Sequence, residues 1–261
     1  MRALQIAASG MSAQQMRVEV VSNNLANMST TGYNARRAEF ADLDYQDVAL
    51  PGTVTAANGT VLPTGVQLGL GVRPSSVAVT LSQGSLSQTG GDLDLAIDGR
   101  GYLEVTLPDG TSAYTRDGGL KRSPTGEIVT ADGNTVVPGI TIPATATSLS
   151  INGSGEVYAY FAGQVQPQQI GQITLAGFTN EEGLQATGSN LFIETPASGP
   201  AQVGAPGETG LGTLRQGYLE DSSVDSVREV TELITAQRGY EMNAKVITAA
   251  DQMLQATTQV R

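Results

Sequence analysis

Proline is confined to the middle of this 261-residue chain, and that confinement separates what can be helical from what cannot. All 11 prolines lie between Pro51 and Pro206, which leaves roughly fifty residues at each end without one. The first forty residues hold two glycines, Gly10 and Gly32, and the segment after Gly217 holds Gly239 alone. Proline removes a backbone donor and clashes with the preceding helical turn. Glycine gives up more backbone entropy than any other residue. The two ends are therefore predicted helical and the middle is not.

Each end carries an apolar heptad row. Leu4, Met11, Val18 and Leu25 form one row at the N-terminus, with Ala7, Val21 and Met28 in the alternate register and Gln14 its polar interruption. At the C-terminus Leu233, Tyr240, Ile247 and Leu254 are flanked by Val227, Val230, Ala236 and Ala250. Such seams are what one helix presents to another. The helices are expected over residues 3–28 and 223–258, about 39 Å and about 54 Å long at ~1.5 Å per residue. Neither is apolar all round, so each needs a partner. The first helix region carries a net positive charge and the second a net negative one, a modest attraction between solvated arms.

The middle reads as β structure. Asp98-Gly99, Asp109-Gly110, Asp117-Gly118, Asp132-Gly133 and Asn152-Gly153 mark turns between short runs such as Tyr102–Leu107, Glu127–Thr130 and Val157–Phe161. Pro108-Asp109-Gly110 is a hairpin signal. The predicted class is α+β: N- and C-terminal helices pairing as a coiled coil, with a central antiparallel β domain of sandwich or barrel type. The expected division is residues 1–30 and 222–261 as helices, 31–78 and 208–221 as extended connecting segments, and 79–207 as the β domain. Within the first connection, residues 46–75 are rich in glycine and proline and are read as irregular.

Composition excludes much chemistry. The chain has no histidine, cysteine or tryptophan, so Ser-His and Cys-His nucleophile pairs, thiolate redox centres and disulfides are out, and zinc would lack its usual ligands. A formal charge of -11 disfavours nucleic acid and anionic membrane as partners. No apolar stretch is long enough for a transmembrane helix, and the N-terminal segment is too broken by Gln5, Ser9, Gln14 and Gln15 for a cleaved signal peptide. Asp92, Asp94 and Asp98 are spaced like the start of a calcium loop, but Ala96 stands where the next oxygen ligand belongs. Leu93, Leu95 and Ile97 alternate with those acids, so a half-buried strand is expected. Gly69-Leu70-Gly71 lacks the third glycine and the helix of a dinucleotide loop. No catalytic residue, metal or cofactor is expected. A carboxylate-based secreted hydrolase is the remaining enzymatic alternative.

Two motifs are more specific. Asn23, Asn24, Leu25, Ala26 and Asn27, followed after a spacer by Thr31, Gly32 and Tyr33, resemble the asparagine-rich signature of the bacterial flagellar rod and hook axial proteins. Asn27 and Gly32 are residue types expected where a helix stops and the chain turns. Gln237, Arg238, Tyr240, Glu241 and Asn243, with Asp251–Leu254 beyond, are similar to that family's closing helix, with Gly239 where relatives often carry alanine. Asp221 or Ser223 is the expected cap of this helix. In the middle, Leu107–Gly118 and Leu62–Pro74 resemble the family's distal-rod members, with the proximal rod and hook-type subunits as the nearest alternatives.

The resemblance implies a structural subunit of a stiff hollow drive shaft in the flagellar basal body, crossing the periplasm and carrying torque from motor to hook. It implies a helical homopolymer, with the terminal helices lining a channel and contributing Leu4, Met11, Val18, Val21, Leu25, Val230, Leu233, Tyr240, Ile247 and Leu254 to assembly. The implied partners are proximal rod proteins, the hook protein and hook-junction end, the surrounding peptidoglycan-ring and outer-membrane-ring proteins, and the flagellar type III export apparatus. Residues 46–75 resemble the extra segment that separates distal rod from hook and are expected to brace neighbouring subunits.

Overall fold

The computed structural model describes residues 2–50, 64–208 and 210–259. The chain divides into two compact units, one of residues 1–26, 36–78 and 225–261, the other of residues 27–35 and 79–224.

The first unit is built on two helices, α1 (Arg2–Ala26) and α2 (Ser226–Gln259). They run antiparallel. Gly10 lies against Asn243, Gln14 against Gly239 and Arg17 against Glu232, so position rises on one helix as it falls on the other. The cap of α2 is Asp225 rather than Asp221 or Ser223. Asp225 Oδ1 accepts the backbone N–H groups of Val227 at 3.0 Å and Arg228 at 3.3 Å, two donors that the first turn would leave unpaired. Ser223 and Asp221 are engaged elsewhere: Ser223 Oγ accepts the Ala35 N–H at 2.9 Å, and Asp221 accepts the hydroxyls of Ser85 and Ser87.

Four strands complete this unit. β1 (Arg36–Asp42) pairs with β4 (Val72–Val79), and β2 (Tyr45–Ala49) with β3 (Val66–Gly69), Tyr45 standing opposite Gly69. Residues 46–75 thus contain paired strands where an irregular connection was expected. Val66, Leu68 and Val77 supply branched side chains that suit a pleated backbone. The centre of that stretch, residues 51–63, lies outside the described residues.

The second unit is antiparallel β throughout. Its strands are β5 (Leu86–Gln88), β6 (Leu95–Asp98), β7 (Tyr102–Thr106), β8 (Ser112–Thr115), β9 (Lys121–Arg122), β10 (Ile128–Val129), β11 (Thr135–Val136) and β12 (Ala146–Ile151). They continue with β13 (Glu156–Phe161), β14 (Gln168–Gln172), β15 (Leu175–Gly177), β16 (Gln185–Gly188), β17 (Leu191–Ile193), β18 (Gln202–Gly204), β19 (Thr213–Gln216) and β20 (Tyr218–Glu220). The largest sheet runs β16-β17-β8-β7-β11-β10-β9, with β15 also on β7 and β18 on β15. A three-stranded sheet, β12-β13-β14, and the pairs β19-β6 and β20-β5 are the unit's other sheets. The β7–β8 hairpin turns at Pro108-Asp109-Gly110, where Gly110 N donates to Leu107 O at 2.9 Å and Asp109 accepts the Thr111 N–H. Of the acidic run, Asp92 lies in a turn and Asp94 in an isolated bridge to Gly119, and β6 starts only at Leu95. Leu95, Ala96 and Ile97 are all fully buried, so the strand is covered on both faces where a half-buried one was expected. β19 and β20 lie in the stretch 208–221, set down above as a connecting segment, and are paired strands of this unit.

Leu95, Ile97, Leu103, Val105, Val157, Ile173 and Leu175 fill the centre of the unit with no exposed surface. A smaller cluster sets Phe178 edge-on to Tyr102 and Tyr114, at 5.9 and 4.8 Å between ring centres.

Candidate functional site

The two paired helices hold most of the residues that the sequence singles out, and their seam is built differently from the heptad reading. Where α1 meets α2 the buried side chains are small: Ala7, Ala13, Ala236 and Ala250, with Val21. A Cβ on Gly10 would sit 2.9 Å from Asn243 Nδ2, and one on Gly239 3.1 Å from Gln14 Cδ. Gly239 therefore marks a close approach of the helices, where each glycine admits a polar side chain of the other helix. Small residues let helix backbones approach, and large ones move to the flanks.

The expected assembly residues lie accordingly. Val21 is buried. Leu4, Met11, Val18, Leu25, Leu233 and Ile247 are half-buried. Val230, Tyr240 and Leu254 are exposed by 41–44%. The exposed set on α2 extends further, to Val227, Ile234, Met242, Val246 and Met253. Val18 and Tyr240 share a shallow groove of about 370 Å³ with Gln15, Gln237 and Glu241, so the two motif-bearing helices contribute to one concavity. Arg238 points to solvent.

Polar contacts fix the pairing. Arg17 and Glu232 approach to 3.5 Å, and Arg228 reaches the same carboxylate at 3.5 Å. Asn24, 1% exposed, holds the backbone of Arg36 from both sides: its Nδ2 donates to Arg36 O at 2.7 Å, and its Oδ1 accepts the Arg36 N–H at 2.9 Å. The same side chain hydrogen-bonds Glu229 on α2. That arrangement gives the second asparagine of the motif its physical reason, since one amide ties α1, β1 and α2. Glu229 Oε2 is buried without a hydrogen-bond partner among the described residues. Burial raises its pKa above the ordinary carboxylate value, opposed by the Asn24 hydrogen bond and aided by the nearby Glu232 charge.

The rest of the N-terminal motif lies in the β unit. Asn27 ends the helical turn, its carbonyl and side chain accepting from the N–H and hydroxyl of Thr30. Thr31 O accepts from Asn190 Nδ2 at 2.7 Å, and Tyr33 is buried. Gly32 has φ +65°, and a Cβ there would lie 2.8 Å from the backbone of Arg116. No other residue type fits both demands.

Gly32 leads to a cluster that motif reading did not single out. Its N–H donates to Glu220 O at 2.8 Å, and Glu220 pairs with Arg116 at 2.9 Å. Both ionic side chains are almost completely buried. Arg116 also donates to the carbonyls of Gly99 and Gly101, and Glu220 accepts the Gly84 N–H. Every charge and most donors are met, the condition under which a buried ion pair is tolerated. No local pattern signals it, because the partners are 104 positions apart.

These contacts tie together segments that lie far apart in the sequence. Three family descriptions match the chain: "Flagella basal body rod protein" over residues 4–34, "Flagellar hook protein FlgE/F/G D1 domain" over 96–159, and "Flagellar basal body rod FlgEFG protein C-terminal" over 215–260. Full-length similarity agrees. The chain is 56% identical to the flagellar basal-body rod protein FlgG of Caulobacter vibrioides over 100% of both chains. It is 48% identical to that of Agrobacterium fabrum over 97% of each. Against that of Bacillus subtilis the identity is 40%, over 98% of this chain and 97% of the relative. The chain belongs to the flagellar basal-body rod protein family.

Proposed function

We propose that the chain is a structural subunit of the distal rod, copies of which assemble through their terminal helices into a stiff hollow shaft transmitting torque from motor to hook. Its place is the rod of the flagellar basal body, the assignment its full-length relatives share. The observation that carries the assembly reading is the surface of α2. Val227, Met242 and Met253 are 75%, 62% and 65% exposed, and five further large apolar side chains of that helix stand at least 41% exposed. Large apolar side chains left exposed in such number on one helix mark contacts with other proteins. A shaft subunit needs no catalytic apparatus, and the chain performs no reaction on this reading. Its neighbours are further copies, the proximal rod and hook subunits at the two ends, and the ring proteins around the shaft. Delivery is by the flagellar export apparatus.

Electron microscopy of basal bodies from a strain lacking the chain tests this. Rods should stop short of the outer rings and carry no hook, and full-length rods without it would overturn the assignment.

A further inference from the structure

One stretch of the β unit is unusually poor in charge. Residues 133–180 contain a single charged side chain, Glu156, where the chain's 14 basic and 25 acidic residues would on average place about seven. That stretch holds the whole of the sheet β12-β13-β14, together with β11 and β15 of the large sheet. Even Glu156 is occupied, its carboxylate accepting from Asn152 Nδ2 at 2.7 Å and Tyr158 Oη at 2.9 Å.

The two edges of this sheet are treated differently. On β12, Ile151 N donates to Gln216 Oε1 at 2.9 Å and Leu149 O accepts from Gln216 Nε2 at 3.2 Å, so a side chain covers the outer backbone. On β14 no strand among the described residues pairs with the outer edge. Its sequence, Gln168-Gln169-Ile170-Gly171-Gln172, has no charge and no proline. Edge strands normally carry such guards, because unpaired N–H and C=O groups template pairing with another chain. At the ends of the large sheet, β9 is guarded by its own charges, Lys121-Arg122, and β16 (Gln185–Gly188) is uncharged but follows closely on Glu181 and Glu182.

We propose that the free edge of β14 docks a second copy of this chain. The occupant follows from charge. Each copy carries -11, so copies meeting through charge-rich surfaces repel one another, whereas a neutral edge lets them approach without that cost. A basic partner would gain nothing from this edge and would be drawn to the acidic surfaces instead. An open polymer needs a heterologous contact, so β14 of one copy meets a different surface of the next. This inference rests on the reading of the chain as a self-assembling subunit.

The test places a photoreactive benzoylphenylalanine at Gln169 in cells building flagella and examines isolated basal bodies. The expected product is an adduct of two copies of the chain. In parallel, Gln169→Lys and Gln168→Lys should leave the melting temperature of the purified chain unchanged while assembled copies fall at least tenfold. Gln185→Lys on the β16 edge should assemble normally. An adduct to any other protein, no adduct, or normal assembly of both β14 variants overturns the inference. If rods contain many copies yet β14 forms no adduct, the inference alone fails. If the chain is absent from rods, the assembly reading fails with it.

Discussion

In the β unit the apolar side chains withdrawn from solvent include Leu95, Ile97, Leu103, Val105, Val157, Ile173 and Leu175, whereas in the helical unit the buried apolar ones are Ala7, Ala13, Ala236 and Ala250 with Val21. Complete burial of a leucine or isoleucine contributes about 1.5–3 kcal/mol, and an alanine methyl adds far less. The β unit therefore holds a core sufficient for itself. The helical unit closes tightly on small residues and polar contacts, and its large apolar side chains remain outside. In the proposed assembly, helices arranged in this way complete their burial against other copies. The same chain thus contains one unit with a filled apolar core and one whose large apolar side chains face solvent.

The largest expected effect lies in the β unit. Arg116→Met leaves Glu220 as a buried carboxylate with the Gly84 N–H but no counter-charge. Removing one partner of such a pair costs about 3–5 kcal/mol. Urea unfolding of the full chain should show that loss in the β transition. A loss below about 1 kcal/mol would mean that backbone contacts alone hold Gly32 and the turns at Gly99 and Gly101 in place.

The next effect tests the comparison directly. Ile97→Ala should destabilise the β unit by about 2–5 kcal/mol, through lost burial and a residual cavity. Tyr240→Ala, at a site 44% exposed, should change the stability of the monomer by no more than about 0.5 kcal/mol. Yet Tyr240→Ala should lower the number of copies in isolated rods at least tenfold, while leaving the purified monomer folded. Equal destabilisation by the two substitutions would erase the distinction between the units.

How much of this was readable in advance follows from what each inference used. Proline confinement located both helices, and Pro108-Asp109-Gly110 located the β7–β8 hairpin, because each is a local backbone constraint. The seam was not readable in detail. A heptad count ranks positions by hydrophobicity, whereas antiparallel helices this close select for size, so Gly10, Ala236 and Gly239 lie inside while Tyr240 and Leu254 lie outside. The cap of α2 was displaced to Asp225 because Asp221 and Ser223, equally good caps by type, are consumed by contacts with Ser85, Ser87 and Ala35. Asn24 was visible as part of a motif, but its grip on Arg36 depends on a chain reversal that no spacing rule encodes.

The smallest predicted effect concerns Glu229, whose buried Oε2 has no hydrogen-bond partner among the described residues. Its neighbours are Asn24 on α1 and Asp225, Arg228 and Glu232 on its own side. Arg17 reaches across to Glu232. Burial is the leading cause of its raised pKa, so the folded state holds the proton more tightly than the unfolded chain does. Below the unfolded value the carboxyl is protonated in both states, and its contribution to pairing is complete. As pH rises through the raised folded value, the paired helices must accommodate a desolvated charge and that contribution is lost. Acidification from neutral pH toward the ordinary carboxylate range should therefore strengthen the pairing through this group. Glu229→Gln keeps the side-chain length and removes the charge. It should raise the helix melting temperature at neutral pH, by the equivalent of about 1 kcal/mol or less, and flatten the pH dependence. Following the helical ellipticity of the full chain and the variant across that range isolates this group, since every other carboxylate is common to both. Parallel curves would show that the pairing tolerates the charge, and the seam would then be hydrated where it now reads as closed.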